Sequence, residues 1–241
     1  MIETKLDPKE EREYAELRKL AQKLHIPIPE AFLTLEVFDK DGRVIQRHRQ
    51  RSHSWVRNAY NLMFSQLAGK DIDDAAVFGA GKLNYKVTDG TIKQTDRCGG
   101  TSNPVDSLTS GYRAAAADDE RGILVGYGTA AESFEDYVLE HLLIEGTTDD
   151  GHHLSFVESE AHSITWTAGT LTLKNDLVRY FNNNEATQSV DVEEVALVWY
   201  AIAGLTPLYV LFTRDKLAST VTIPITGQLK VTYTISLTYP E

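Results

Sequence analysis

A single cysteine, Cys98, is all that the 241 residues offer. That excludes an internal disulfide framework and a zinc site built from several thiolates. Long apolar runs are missing too. The best candidate for a membrane span, residues 195–211, is interrupted by Gly204 and Pro207. Met1 to Lys5 lead into a charged stretch with no apolar core, so no secretion leader is expected, and folding in a reducing cytoplasm is. No basic surplus exists: the net charge of −11 argues against a general nucleic-acid binder. Gly-x-Ser-x-Gly is absent, so a hydrolase triad has no anchor. Phe78 to Lys82 lacks the Walker spacing and is followed by Leu83 instead of Ser or Thr. Neither a repeat nor a low-complexity tract occurs.

What is present is an ordinary globular composition with uneven charge. Between Gly42 and Lys70 there is no Asp or Glu, while Arg43, Arg47, Arg49, Arg51, Arg57 and Lys70 are all basic. The acidic surplus therefore lies elsewhere, and this stretch suits attraction between copies or docking on an acidic partner. On a strand, Arg43, Arg47, Arg49 and Arg51 share parity and so one face. The run Arg43, Arg47, Arg49, Arg51 and Arg57 is the best protein-contact candidate, against a plain solvated face or phosphate contact.

Residues 1–28 read as a helical arm. Asp7 is a good N-cap, Pro8 fits the first helical position and Glu10 completes a capping pattern. Tyr14, Leu17, Leu20, Ala21 and Leu24 fall on one helical face, and Pro27 and Pro29 stop the helix. That face docks either on its own domain or on a neighbouring subunit, which makes Tyr14, Leu17, Leu20 and Leu24 contact candidates.

Residues 29–241 read as a mainly β domain. Leu33, Leu35 and Val37 alternate with polar residues, and Asp39 to Gly42 turn the chain into a second strand. Ser54 is placed to cap a helix over 54–68 that carries Val56, Ala59, Tyr60, Met63 and Leu67 and is closed by Gly69. Residues 70–125 are a loop-rich insertion, read as a protrusion, with one hairpin around Asp89-Gly90 and a loose stretch from Cys98 to Pro104. Thr129 to Glu132 is another capping pattern and predicts a helix near 130–144. After Gly151 the period is two: Leu177, Arg179 and Phe181 oppose Val178 and Tyr180, and six apolar residues from Leu229 to Tyr239 line one face of a strand. Such antiparallel strands predict a β-sandwich or jelly roll with helices near 7–25, 54–68 and 130–144.

No catalytic, cofactor or metal residues are expected. Asp149 to His153 is the most suggestive cluster, but neighbouring strand residues face opposite ways, and Asp-Asp-Gly is an ordinary turn. Gly126-Tyr127-Gly128-Thr129 can cradle an anion, and reads better as a packed turn. Cys98 has no histidine close in sequence.

Several blocks resemble the small structural proteins of tailed-bacteriophage virions: Ser54 to Asn58, Val87 to Gly90, Gly122 to Thr129, Arg179 to Asn183, Val192 to Leu197, Leu211 to Asp215, and the threonine-rich strand ending at Tyr239-Pro240. The resemblance spans residues 32–240 and leaves the arm out. It implies a non-enzymatic head, decoration or tail component, made in the host cytoplasm, whose partners are other virion proteins and copies of itself. Two rivals remain. One is a cell-surface or glycan-binding jelly roll using Tyr112, Tyr127 and Trp166; the other is a β-barrel metalloenzyme using His152, His153 and His162.

Overall fold

The structure, a computed structural model, describes residues 1–70, 72, 78–79, 81–94, 106–108, 110–203 and 206–240. Cys98 and the stretch to Pro104 lie outside the described residues. The chain is mainly β, an antiparallel β-sandwich with a helical arm, as the period-two pattern predicts.

The elements in chain order begin with β1 (Ile2–Thr4), α1 (Pro8–Leu24), β2 (Ile28–Phe38), β3 (Val44–Ser52) and α2 (Arg57–Ala68). Next come β4 (Gly122–Gly126), β5 (His153–Phe156), β6 (Ser163–Thr167) and β7 (Thr172–Asn182). Last are β8 (Val190–Ala203), β9 (Thr206–Ile223) and β10 (Gln228–Thr238). One sheet runs β1-β3-β2-β10-β7-β5, with β6 also on β7. The other sets β9 beside β8, with β4 on the far edge of β8. Between them lie Leu33, Leu35, Val37, Leu177, Phe181, Leu229, Val231 and Tyr233 from the first sheet. Val125, Val195, Leu197, Leu211, Val221 and Ile223 face them from the second. Each large apolar side chain buried this way contributes about 1.5–3 kcal/mol before entropy losses.

The inner face of β3 is polar because it meets a strand edge instead of side chains. The Gln46 carboxamide donates to the Thr220 carbonyl and accepts from the Thr222 N–H. Gln50 does the same with Lys216 and Ala218. These amides stand in for a neighbouring strand along β9, which satisfies backbone groups that would otherwise be orphaned.

Three expectations need correction. No helix forms over 130–144. Arg214 takes the carbonyls of Ala130 and Ala131, which a helix there would need, and Glu132 accepts the Lys216 N–H instead of capping. Helix α2 starts at Arg57, because Ser54 to Val56 stay extended along β9: Ser54 and Val56 bond Arg214 and Phe212, and Trp55 bridges Thr213. The described part of 70–125 is no protrusion. Ile72, Tyr85 and Val87 pack with Ala59, Val210 and Phe212 on the outer face of the second sheet, and β4 is wholly buried. The hairpin around Asp89-Gly90 is present, pairing Tyr85–Lys86 with Ile92–Lys93.

Candidate interaction surface

The arm folds back on its own domain. Asp7 accepts the Lys9 N–H, Pro8 opens α1, and His25 ends it in the left-handed region at φ 55°. The docked side is polar and aromatic. Arg51, 2% exposed, lies beneath it and reaches Glu11 at 2.6 Å and Glu30 at 3.4 Å. The Tyr14 ring covers its guanidinium at 3.8 Å, with Phe32 at 4.6 Å. Arg18 adds a 2.6 Å bond to Glu30. Burial raises the Tyr14 pKa, against the lowering effect of Arg51.

The other side of the arm is bare. Leu17, Leu20 and Leu24 are exposed, Leu20 at 52%, while Ala21 is the buried residue of the helix. Helix α2 repeats the pattern. It faces inward through Asn58, whose amide donates to the carbonyls of Lys86 and Leu211 while its oxygen accepts the Lys86 N–H. Tyr60, Met63, Phe64 and Leu67 point outward, Leu67 at 82% exposure. Of the apolar face expected for α2, only Val56 and Ala59 are buried. The two helices meet at a cleft of about 150 Å³ lined by Tyr14, Tyr60 and Met63.

Across the arginine run, Arg47, Arg49 and Arg51 share the outer face of β3, as parity predicts, but Arg43 sits in the preceding turn. Most of these charges are answered within the chain. Arg47 bonds Glu36 at 2.6 Å, Arg57 pairs with Glu135 beneath Phe134, and Arg43 lies 3.9 Å from Asp41. The bond to Glu135 raises the Arg57 pKa and lowers that of Glu135. Arg49 is exposed, over the Phe32 ring at 5.6 Å. The sequence shows the basic residues but not their acids, which for Arg51 and Arg57 lie 40 and 78 residues away in the chain.

The rivals' residues are dispersed. Tyr112 packs edge-on to Phe212, Tyr127 is stacked between His141 and His152, and Trp166 meets Tyr239. His152 and His153 turn to different neighbours, since His153 Nδ1 lies 2.9 Å from Asp150. His162 contacts Asn175. Ligand atoms of Asp150, His153 and Glu185 lie within 4.8 Å of one another, close enough for one cation. They already have work: Glu185 accepts the N–H groups of Gly151 and His153, and Asp150 accepts that of His152. This is a clamp on the turn. Asp149 holds the facing loop through Thr187 and Gln188.

The glycine pair at 126 and 128 does cradle an anion, and it is the chain's own Glu194. A Cβ on Gly126 would stand 2.6 Å from Glu194 Oε1, and the Gly128 N–H donates to that oxygen. Glu194 also accepts the N–H groups of Glu140 and His141 and binds Arg214 at 2.6 Å.

The fold and this surface define a β-sandwich whose two helices turn apolar side chains outward. No family model matches the chain, and neither does any curated protein or solved structure. Among the described residues, no helix is long and apolar enough to cross a membrane.

Proposed function

We propose that the chain is a non-enzymatic structural component of a tailed-phage virion, in head, decoration or tail, acting through assembly with copies of itself and with other virion proteins. The observation that carries this reading is the inverted dress of its helices. Arg51 and Asn58 are inside, while Leu17, Leu20, Leu24, Phe64 and Leu67 are outside. Large apolar side chains turned outward in groups on two helices are the kind of surface that marks contact sites. Three groups with strongly perturbed pKa values, Arg179, Asp215 and Tyr233, are sealed in the core, where no substrate reaches them; Tyr209, raised by burial and by Glu120, is half-buried. With most of the arginine run engaged inside the chain, apolar contact dominates over charge, and nucleic acid is not proposed as a partner.

Immunogold labelling of particles from the producing host tests the reading. Gold is expected on particles, and Leu20→Lys with Leu67→Lys should fold normally yet be lost from them. A chain found only in the particle-free fraction would refute the proposal.

A further inference from the structure

Along β7 and β10 the apolar side of the first sheet runs on from buried residues into half-buried and exposed ones. On β10, Leu229, Val231 and Tyr233 are buried, Ile235 and Leu237 are half-buried, and Tyr239 just beyond it is 41% exposed. Leu237 lies opposite Leu173, and Leu173 opposite Trp166 on β6. Trp166 meets Tyr239 edge-on at 5.6 Å. Ile164 stands on the same side, opposite Asn175. The reverse side carries Ser163, Thr165 and Thr167. Strand β6 is thus amphipathic although every residue of it is exposed. A strand with water on both faces gains nothing from that division.

The edge of β6 is equally unguarded. Among the described residues its one neighbour in the sheet is β7, and alternate N–H and C=O groups on the other side have no strand partner there. Sheets protect such edges with charge, proline, a bulge or a covering segment. Ser163-Ile164-Thr165-Trp166-Thr167 has no charge and no proline, and its pairing with β7 shows no register shift.

We propose that β6 pairs with β6 of a second copy of the chain, antiparallel about a two-fold axis through Thr165. The sequence is self-complementary in that register. Thr165 meets its own counterpart, Ile164 meets Trp166, and Ser163 meets Thr167. Both Ile164–Trp166 pairs then fall on the apolar side, beside Leu173 and Tyr239, and the hydroxyl residues pair on the other. Sliding the register by one residue would turn the two apolar faces to opposite sides. The edge has no charge for an acidic or basic partner to read, whereas an identical strand matches it in length, polarity and face. Two copies would share one continuous first sheet, an isologous contact. This contact rests on the β6 edge alone and stands or falls independently of the virion reading.

The test uses the full chain in a Cys98→Ser background. Thr165→Cys should form a disulfide-linked dimer under mild oxidation, because the residue on the axis faces itself. Ser163→Cys, which faces Thr167, should not. Separately, Thr165→Lys sets two like charges against each other and should halve the native mass measured by light scattering. Its melting midpoint should barely move, since Thr165 is exposed. An unaltered chain that is monomeric at high concentration, an unchanged mass for Thr165→Lys, or equal cross-linking from Ser163→Cys would overturn the proposal and leave the hairpin to some other occupant. Should Thr165→Lys fail to fold, the two cysteine variants decide alone.

Discussion

The Arg51 guanidinium lies 3.8 Å from the centre of the Tyr14 ring, so a residue of the arm seals a cation that the strand would otherwise present to water. Removing either partner leaves the other stranded. Tyr14→Ala should cost about 1–2 kcal/mol, of which the cation–π contact supplies a good part. For a chain of this size that lowers the melting midpoint by roughly 2–8 °C. Deleting residues 1–25 should lower it further, because Glu11 and Arg18 go as well. A truncated chain that melts like the full one would place the docking of the arm elsewhere.

Arg179 should be the least replaceable residue of β7. It is fully buried and donates to the carbonyls of Ala115, Asp118, Arg121, Ile123 and Val157, beside the rings of Phe156 and Phe181. Burial pulls its pKa down to about 10, so it stays charged at neutral pH. Arg179→Met orphans these carbonyls at about 1–3 kcal/mol for each that finds no water. A loss of at least ~3 kcal/mol in urea denaturation is expected, with Arg179→Lys in between.

Glu194→Gln should loosen the 126–142 loop. The carboxylate gathers the N–H groups of Gly128, Glu140 and His141 and pairs with Arg214 inside the protein. Breaking a buried pair from one side typically costs about 3–5 kcal/mol. Limited proteolysis within 130–140 should accelerate before the rest of the chain opens.

Asp215 should make stability fall as pH rises. It is enclosed with Ser52, whose hydroxyl donates to it at 2.7 Å, and burial pushes its pKa up to about 7, with Glu132 adding to the rise and His53 opposing it. A folded pKa above the ordinary 3.8 means that the native state holds the proton more tightly. The contribution is complete below about pH 4 and is lost as pH climbs through 7. Asp215→Asn should therefore gain stability over the unaltered chain at pH 8 and lose that gain near pH 4, read from paired melting curves.

Strand parity was legible wherever a strand has one apolar face. It even put Arg179 on the core side, beside Leu177 and Phe181. The arm was legible as well, since Asp7 and Pro8 act within one turn of each other. What sequence could not carry were partners brought from afar. Glu132 looks like a capping residue until Lys216 claims it, and the carbonyls of Ala130 and Ala131 look helical until Arg214 does. Facing failed on both helices for the same reason: Arg51 and Asn58 are buried and take partners from the chain, which outweighs a leucine's preference for the interior. As for the contact surface, the arginines were visible, but Glu11, Glu36 and Glu135 leave few of their charges outward.

Strand β10 sits between β2 and β7 at the centre of the first sheet, and Ser236 bonds the Glu30 carbonyl across 206 residues of chain. During synthesis at about 5–20 residues per second, β2 must therefore wait on the order of 10–40 s for the strand that completes its pairing. Until then β2 has β3 alone as its sheet neighbour, and the inner-facing Leu33, Leu35 and Val37 lack their partners on β10. Completing the first sheet is thus tied to the synthesis of β10, and a chain cut short before residue 228 has a first sheet that lacks its middle.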